Sequence, residues 1–420
     1  MSGSAPALAT QPSARWWQFA LGVQAATGQA AWQGVRLMVA YAALEATGSP
    51  AFVGIIAAVF ALSGFVVSIP SGRMIDRYGS ARIALLGSLV CIVGIVAALL
   101  FPSIVGIVVV AVLVGAAQVY VIVAQQGFVA RVTTGNLDSA FGTLTAAVSI
   151  GQLIGPPVVT LAAAAWAASE THPNTSVGLA VCGALLVVAL PTFFALRSVE
   201  RRTAPALGRT QKAAALSDVL RLPGMIRSLL VGAGVLVTVD LLAAFTPVWA
   251  VAQDIPAAVV GWLLALRALF TISSRFGVSR LVERFGRKIL LLVAISLAAL
   301  ALVLLPFADA WWAIPVMAMI GLGLGLPQPL TLAWMSSLAP PHARGAVFGT
   351  RMTVNRLAQV ILPLLVATVA GPVGVFAVFW STAAIVVGSA VLVATTNAQA
   401  LNDHASPDDA DRDANAPDSS

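Results

Sequence analysis

A chain of 420 residues that is 59% hydrophobic and only 9% charged falls far below the roughly 25% charged residues of a soluble domain. No water-soluble fold of this length hides so much apolar surface, so composition excludes a soluble enzyme and indicates a polytopic membrane protein. The formal net charge is +7, but the basic residues lie in short loops between apolar runs rather than on one face of a domain, which excludes nucleic acid as a partner.

In chain order, residues 1–14 are small and polar and are read as a cytoplasmic tail. No cleavable signal peptide is expected, because the first apolar run is too long for one. Twelve helical spans follow, at about 17–46, 51–74, 83–101, 103–130, 138–168 and 176–197, then 224–252, 256–278, 289–306, 309–338, 345–370 and 373–396. Each reaches or approaches the roughly 20 residues that a membrane helix needs. The runs are continuous rather than alternating, which predicts helices and not a barrel. A basic segment at 198–223 links a first six-helix bundle, 15–197, to a second, 224–396. The end, 397–420, is acidic and rich in Pro and Ser, and is expected to be a disordered tail.

Charge sets the topology. The segments holding Arg73 to Arg82, Arg131, Arg197 to Arg227, Arg280 to Lys288 and Arg344 all fall on one side. The opposite loops, 46–50, 102–103, 169–176, 253–257, 306–310 and 371–372, contain no Lys or Arg. This bias places both termini in the cytoplasm, with the chain in the cell (inner) membrane. Trp16 and Trp17 are expected at the inner interface, and Trp166, Trp249, Trp311 and Trp312 at the outer one. Arginine outnumbers lysine and alanine abounds, which points to a GC-rich bacterial genome. Asn174-Thr175-Ser176 is then a chance match to a glycosylation acceptor. Cys91 and Cys182 both sit in apolar spans and suggest no disulfide framework.

Between the second and third spans lies the stretch Gly72-Arg73-Met74-Ile75-Asp76-Arg77-Tyr78-Gly79-Ser80-Ala81-Arg82. A second version, Ser279 to Lys288, keeps an acid, the arginine after it and a glycine two further on: Glu283, Arg284 and Gly286. Gly79 to Gly286 is a shift of 207 residues, and the same shift takes Gly54 to Gly261, Phe141-Gly142-Thr143 to Phe348-Gly349-Thr350, Gln152 to Gln359 and Pro156 to Pro363. One constant offset indicates two parallel repeats, an arrangement found in transporters. The pattern G-x-x-x-D-R-x-G-x-x-R resembles the signature loop of the major facilitator superfamily. In that family the acid latches the two halves on the cytoplasmic side, which here implicates Gly72, Asp76, Arg77, Gly79 and Arg82 against the start of span eleven near Arg344. Charges that merely hold topology are the simpler reading. The second copy has Ser279 for the glycine and Glu283 for the aspartate, so its latch is the looser one.

Span five carries Gly142, Gly151, Gly155 and Pro156. Gly151 and Gly155, one turn apart, give a small face for close helix contact, and Pro156 can bend the helix. These four positions resemble the span-five motif of bacterial drug:proton antiporters, and the resemblance implies efflux. The motif's closing glycine pair is replaced by Val159-Thr160. In span four those antiporters carry an arginine that is linked to proton coupling, four residues before a glycine. Gly115 fits the glycine, but the arginine position holds Ala111.

Arg36, Asp240, Arg267, Arg275 and Arg356 are ionisable residues within spans. A charge at mid-membrane costs roughly 2.5–3.5 kcal/mol, so each is a functional candidate; Arg275 alone lies near enough the cytoplasm to snorkel. Asp240, the mid-membrane acid, corresponds by the repeat to Gln33, one turn from Arg36. Spans one and seven are repeat equivalents, so an Arg36–Asp240 pair is geometrically allowed, either as a static bridge or as one that breaks on protonation. Three deep cations against one acid suit an anionic substrate. Gln24, Gln29, Gln33, Gln118, Gln125, Gln152, Gln328 and Gln359 offer polar contacts, with Trp32, Tyr120 and Trp334 as aromatic walls. His172, His342 and His404 are in loops or the tail, and neither a phosphate loop nor a metal cluster is present, so no enzyme activity, cofactor or metal is expected.

The expected fold is an all-α membrane protein, twelve transmembrane helices in two pseudo-symmetric six-helix bundles. The expected function is a secondary active transporter, proton-coupled and exporting a small organic molecule as a monomer. The alternative is uptake or exchange of an organic anion, and a non-transporting membrane receptor is disfavoured by the short loops.

Overall fold

The computed structural model describes residues 15–133, 137–203, 220–338 and 344–396. The two tails, His342, His404 and most of the 198–223 segment lie outside the described residues. The described chain is all helix: α1 (Arg15–Thr47), α2 (Pro50–Tyr78), α3 (Ser80–Leu100), α4 (Ile104–Val132), α5 (Leu137–Ala165), α6 (Thr175–Thr203), α7 (Met225–Ala252), α8 (Ala257–Ser273), α9 (Val278–Phe285), α10 (Arg287–Leu304), α11 (Ala313–Gly325), α12 (Pro327–Leu338), α13 (Arg344–Val373) and α14 (Val375–Ala394). Ten described stretches are long and apolar enough to cross a membrane, and α8 with α9, bent by 61°, gives an eleventh. α1, 33 residues long, falls short of that hydropathy, lowered by its glutamines and Arg36, so the described residues give ten or eleven apolar spans against the twelve expected. Large apolar side chains such as Phe194, Val188, Val93 and Leu365 are exposed on the outer surface, as lipid demands and water forbids.

The first six helices pack as α1 on α5 and α6, α4 on α2 and α3, and α3 on α6. In the second bundle α7 packs on α12, α13 and α14, α8 on α11, and α10 on α11 and α14. The bundles meet through α2 with α13, α5 with α8, and α1 with α7. Many Ser and Thr hydroxyls inside the spans bond carbonyls of their own helix, as Thr238 Oγ1 does to Gly234 at 2.8 Å and Thr331 Oγ1 to Pro327 at 2.7 Å, which satisfies them in an apolar medium.

Several sequence-derived boundaries are redrawn. The segment from Gly72 to Arg82 is not a loop: α2 continues to Tyr78 and α3 begins at Ser80, so the turn is Gly79 alone, at φ +90°. Only glycine takes this conformation without strain. Gly72 has open space around it and makes no close approach. Gly286, at φ +78°, separates α9 from α10 in the same way. Span eight breaks before Gly277, φ +76°, and span ten breaks at Leu326 ahead of Pro327, whose missing N–H cannot continue the ladder. Trp16, Trp166, Trp311 and Trp312 are exposed near helix ends, but Trp249 and Trp17 are buried. Trp249 lies on α7, which is enclosed by both bundles, and Trp17 packs edge-on against Phe128 at 5.8 Å. Asn174 caps α6, its Oδ1 accepting from the N–H of Val177 at 3.1 Å.

At the arginine-free end the bundles touch through two repeat-related crossings. A Cβ on Gly54 would sit 2.8 Å from Ala367 Cβ and 3.3 Å from the Pro363 carbonyl oxygen on α13. A Cβ on Gly261 would sit 2.9 Å from the Pro156 carbonyl oxygen on α5 and would clash with Thr160 Oγ1. Gly54→Val or Gly261→Val therefore props this end apart. With Cys91 and Cys182 replaced by serine, an Ala57→Cys reporter should react faster with a membrane-impermeant thiol reagent added on that side; an unchanged rate would show that these crossings do not seal it.

Candidate functional site

Between the bundles lies a cavity of about 430 Å³. Its lining runs from Arg36 and Pro363 at mid-depth to Gln126, Arg275 and Met352 toward the arginine-rich end. Beyond Pro363 lies the Gly54 crossing, where the two bundles touch.

Arg36 and Asp240 meet at its centre. Arg36 Nη1 donates to Asp240 Oδ1 at 2.6 Å and Nη2 to the Asp240 carbonyl oxygen at 3.1 Å. The guanidinium carbon lies 4.9 Å from the centre of the Trp32 ring, a cation–π contact that further stabilises the charge. The second carboxylate oxygen, Oδ2, accepts from Gln359 Nε2 at 2.6 Å, and Gln359 Oε1 accepts from Arg356 Nη1 at 3.2 Å. A continuous chain thus joins Trp32, Arg36, Asp240, Gln359 and Arg356 across α1, α7 and α13. Arg36 is 8% exposed and Asp240 18%, so the pair is largely withdrawn from solvent.

Arg267 is also in the lining and 7% exposed, yet its Nε has no hydrogen-bond partner among the described residues. Its position is fixed by close packing of α8 on α11: a Cβ on Gly321 would lie 2.5 Å from the Arg267 carbonyl oxygen, and Thr271 Oγ1 donates to the Gly321 carbonyl at 3.1 Å. Arg275, near enough the arginine-rich end to snorkel, is exposed and also reaches the cavity lining. It lies two turns past Arg267 on the same side of the broken span.

Gln29, Gln33, Gln118, Gln152 and Gln328 reach the cavity with Gln359. Gln24 and Gln125 do not line it; Gln125 Nε2 donates to Gln24 Oε1 at 2.9 Å, tying α4 to α1. Tyr120 is not a wall. It packs against the cluster of Ile75, Ile83 and Phe193, because it lies on the face of α4 opposite Gln118, Ile122 and Gln126. Trp334 is not a wall either; it is fully buried, on a different face of α12 from Gln328. The sequence reading overlooked Gln126, Thr271 and Asn355, all in the lining. Helical spacing held the signal for two of them: Gln118, Ile122 and Gln126 form one stripe, and Arg267, Thr271 and Arg275 another. Asn355 Oδ1 is buried without a partner among the described residues.

Gly151 and Gly155 abut α1: a Cβ on Gly151 would clash with the Ala26 carbonyl, and one on Gly155 would lie 2.6 Å from Ala30 Cα. This contact brings Gln152 to the cavity beside α1. Pro156 faces α8 through Gly261, while Gly142 has open space around it. Ala111 is buried in the apolar core, in a span too tightly packed for an arginine there. At the arginine-rich end, Asp76 Oδ1 accepts from Arg131 Nη2 at 2.7 Å. Arg131 Nη1 lies 3.7 Å from Glu200 Oε1, and Glu200 accepts from the N–H groups of Ser80 and Ala81 at 2.6 and 2.9 Å. A carboxylate is favoured at this helix start. Arg77 and Arg284 lie over the rings of Tyr78 and Phe285. Glu283, Arg82 and Gly286 form no ion pair among the described residues. The side chains of Arg344 and Phe348 lie outside the described residues.

No group of three or more metal-binding side chains occurs among the described residues. Membrane-crossing helices around a polar, charged cavity define a transporter rather than an enzyme. The sequence profile of the Major Facilitator Superfamily matches residues 21–256 and 229–413, and the chain belongs to that superfamily. Among curated proteins none matches the sequence. Among solved structures, a single-site mutant of nucleoside transporter NupG superimposes with a TM-score of 0.73 at 13% identity, covering 90% of this chain and 99% of that one. Peptide transporter POT in complex with sulfate gives 0.72 at 15% identity, covering 90% and 93%. A POT family transporter in complex with 5-aminolevulinic acid gives 0.70 at 14%, covering 90% and 95%. At these identities the likeness is one of fold.

The central pair makes a stability prediction. Arg36→Gln leaves Asp240 as a buried anion and should destabilise by about 3–5 kcal/mol, seen as a lower thermal unfolding midpoint. Arg36→Gln with Asp240→Asn removes both charges and should restore most of the loss. A double variant as unstable as the sum of the singles would show that the two residues do not act as a pair.

Proposed function

We propose that the protein is a secondary transporter that moves a small organic molecule by alternating access and couples the movement to a proton at Asp240. The observation that carries this reading is the bridge between Arg36 and Asp240, which joins one bundle to the other inside the cavity. An ionised Asp240 accepts on both oxygens. A protonated Asp240 loses the charge attraction of Arg36 and half its accepting capacity. Protonation thus weakens the link between α1 and α7, and the bundles are released to rock. This path replaces the span-four arginine that the sequence lacks. The glycine face of α5 supports export as the direction, through its likeness to the efflux pattern.

In this reading the arginine-rich end faces the cytoplasm, by the positive-inside rule, and the cavity opens to that side. The bundles, 15–197 and 224–396, are the moving bodies and 198–223 their tether. Asp76, held by Arg131 when this end is open, is the latch that passes to the start of α13 when it closes, where a helix N-terminus favours negative charge.

Two measurements test the scheme. In proteoliposomes Asp240→Asn should abolish gradient-driven transport while leaving substrate exchange; full gradient-driven activity would remove Asp240 from coupling. Asp76 is exposed, and an exposed ion pair contributes about 0–1 kcal/mol, so Asp76→Asn should leave the unfolding midpoint nearly unchanged while lowering transport severalfold. Undiminished transport would return this segment to a purely topological role.

A further inference from the structure

The charges that line the cavity do not balance. Arg36 and Asp240 cancel, while Arg267 and Arg356 deep in the cavity, and Arg275 toward its arginine-rich end, face the same space without an ion-pair partner among the described residues. Arg267 Nε is buried and unpartnered among the described residues, and the contact from Arg356 within the cavity goes to a neutral amide, Gln359. A buried cation in this condition is stabilised when a counter-charge arrives. Both arginines come from the second bundle, on α8 and α13. The opposite wall, from the first bundle, presents Gln29, Gln118 and Gln152. Each amide offers two donors and an acceptor, and each is left unsatisfied by an apolar ligand that displaces its water.

We propose that the cavity takes a hydrophilic organic anion, with its acidic group on Arg267 and Arg356 and its uncharged, hydroxyl- or amide-rich body against the glutamines. This deepens the transport reading and rests on it. The chemistry selects against two other classes. A lipophilic cation meets the uncancelled arginines. A lipophilic anion satisfies the arginines but strands the glutamine wall. A volume of about 430 Å³ lies within the range of small-molecule sites, roughly 300–1,000 Å³.

The test uses the purified full chain and its thermal unfolding midpoint. The probes are a panel of sugar acids, sugar phosphates and hydroxylated or amidated carboxylates, with D-glucose, benzoate and tetraphenylphosphonium for comparison. At least one hydrophilic acid should raise the midpoint, and D-glucose and tetraphenylphosphonium should not. Benzoate should act more weakly than the hydroxylated acid. The shift should disappear in Arg267→Gln, persist in Arg267→Lys and shrink in Gln152→Ala. Should Arg267→Gln not fold, Arg356→Gln reads the same loss. Stabilisation by tetraphenylphosphonium alone, no response to any acid, or an unchanged response in the arginine variants would overturn the proposal. Counterflow of the stabilising acid in proteoliposomes separates the two readings. An acid that binds through Arg267 but does not cross would sink transport and keep the site's chemistry; counterflow of tetraphenylphosphonium without acid binding would do the reverse.

Discussion

A charge pair at mid-depth in an apolar bundle has little water to screen it, so its field falls on the groups that touch it. Arg36 and Asp240 meet at 2.6 Å, and the pair also reaches the Trp32 ring, the Asp240 carbonyl and the Gln359 amide. Three helices from two bundles are thereby aligned to one another. The close packing around them serves the same end. Gly151 and Gly155 let α5 lie against α1, and Gly321 lets α11 lie against α8, so that Gln152 and Arg267 are delivered to the cavity on rigid elements rather than on loops.

The two repeats share geometry and the charges of the Gly79 and Gly286 turns, but not the charges of the cavity. Gly54 and Gly261 make equivalent crossings, and Gly79 and Gly286 make equivalent one-residue turns. Asp240 and Gln33, or Arg356 and Ser149, occupy equivalent positions with unlike chemistry. Backbone contacts that join the bundles are constrained in both copies alike, whereas the cavity has one occupant to recognise and divides the work between its walls.

Much of this was legible in the sequence, for identifiable reasons. The all-helical membrane fold and the repeated glycine turns followed from apolar run length and a constant offset, which are one-dimensional signals. A pairing of Arg36 with Asp240 was legible only as geometrically allowed, because the repeat makes spans one and seven equivalents; that it forms is seen in the structure. Helix rotation was not legible. Tyr120 and Trp334 have the chemistry of a binding wall but sit on the wrong faces of α4 and α12, and Gln126 and Asn355 sit on the right ones. Nor did hydropathy reveal that α2 and α3 are separated by a single glycine, since polar residues at a helix end read as loop when no backbone angle is seen.

The place of the central bridge has a mechanical consequence. It joins α1 to α7 at mid-depth, between a closed end and an open one. If two bodies swing about their middle, the ends travel far and the fulcrum hardly at all. A contact at the fulcrum moves little in such a swing, so on the proposed mechanism Arg36 and Asp240 stay within reach of each other and the bridge re-forms when the proton leaves. Under the proposed coupling at Asp240, the Arg36–Asp240 pair is a pivot whose hold is loosened by protonation, and the reach of the motion is decided at the tips.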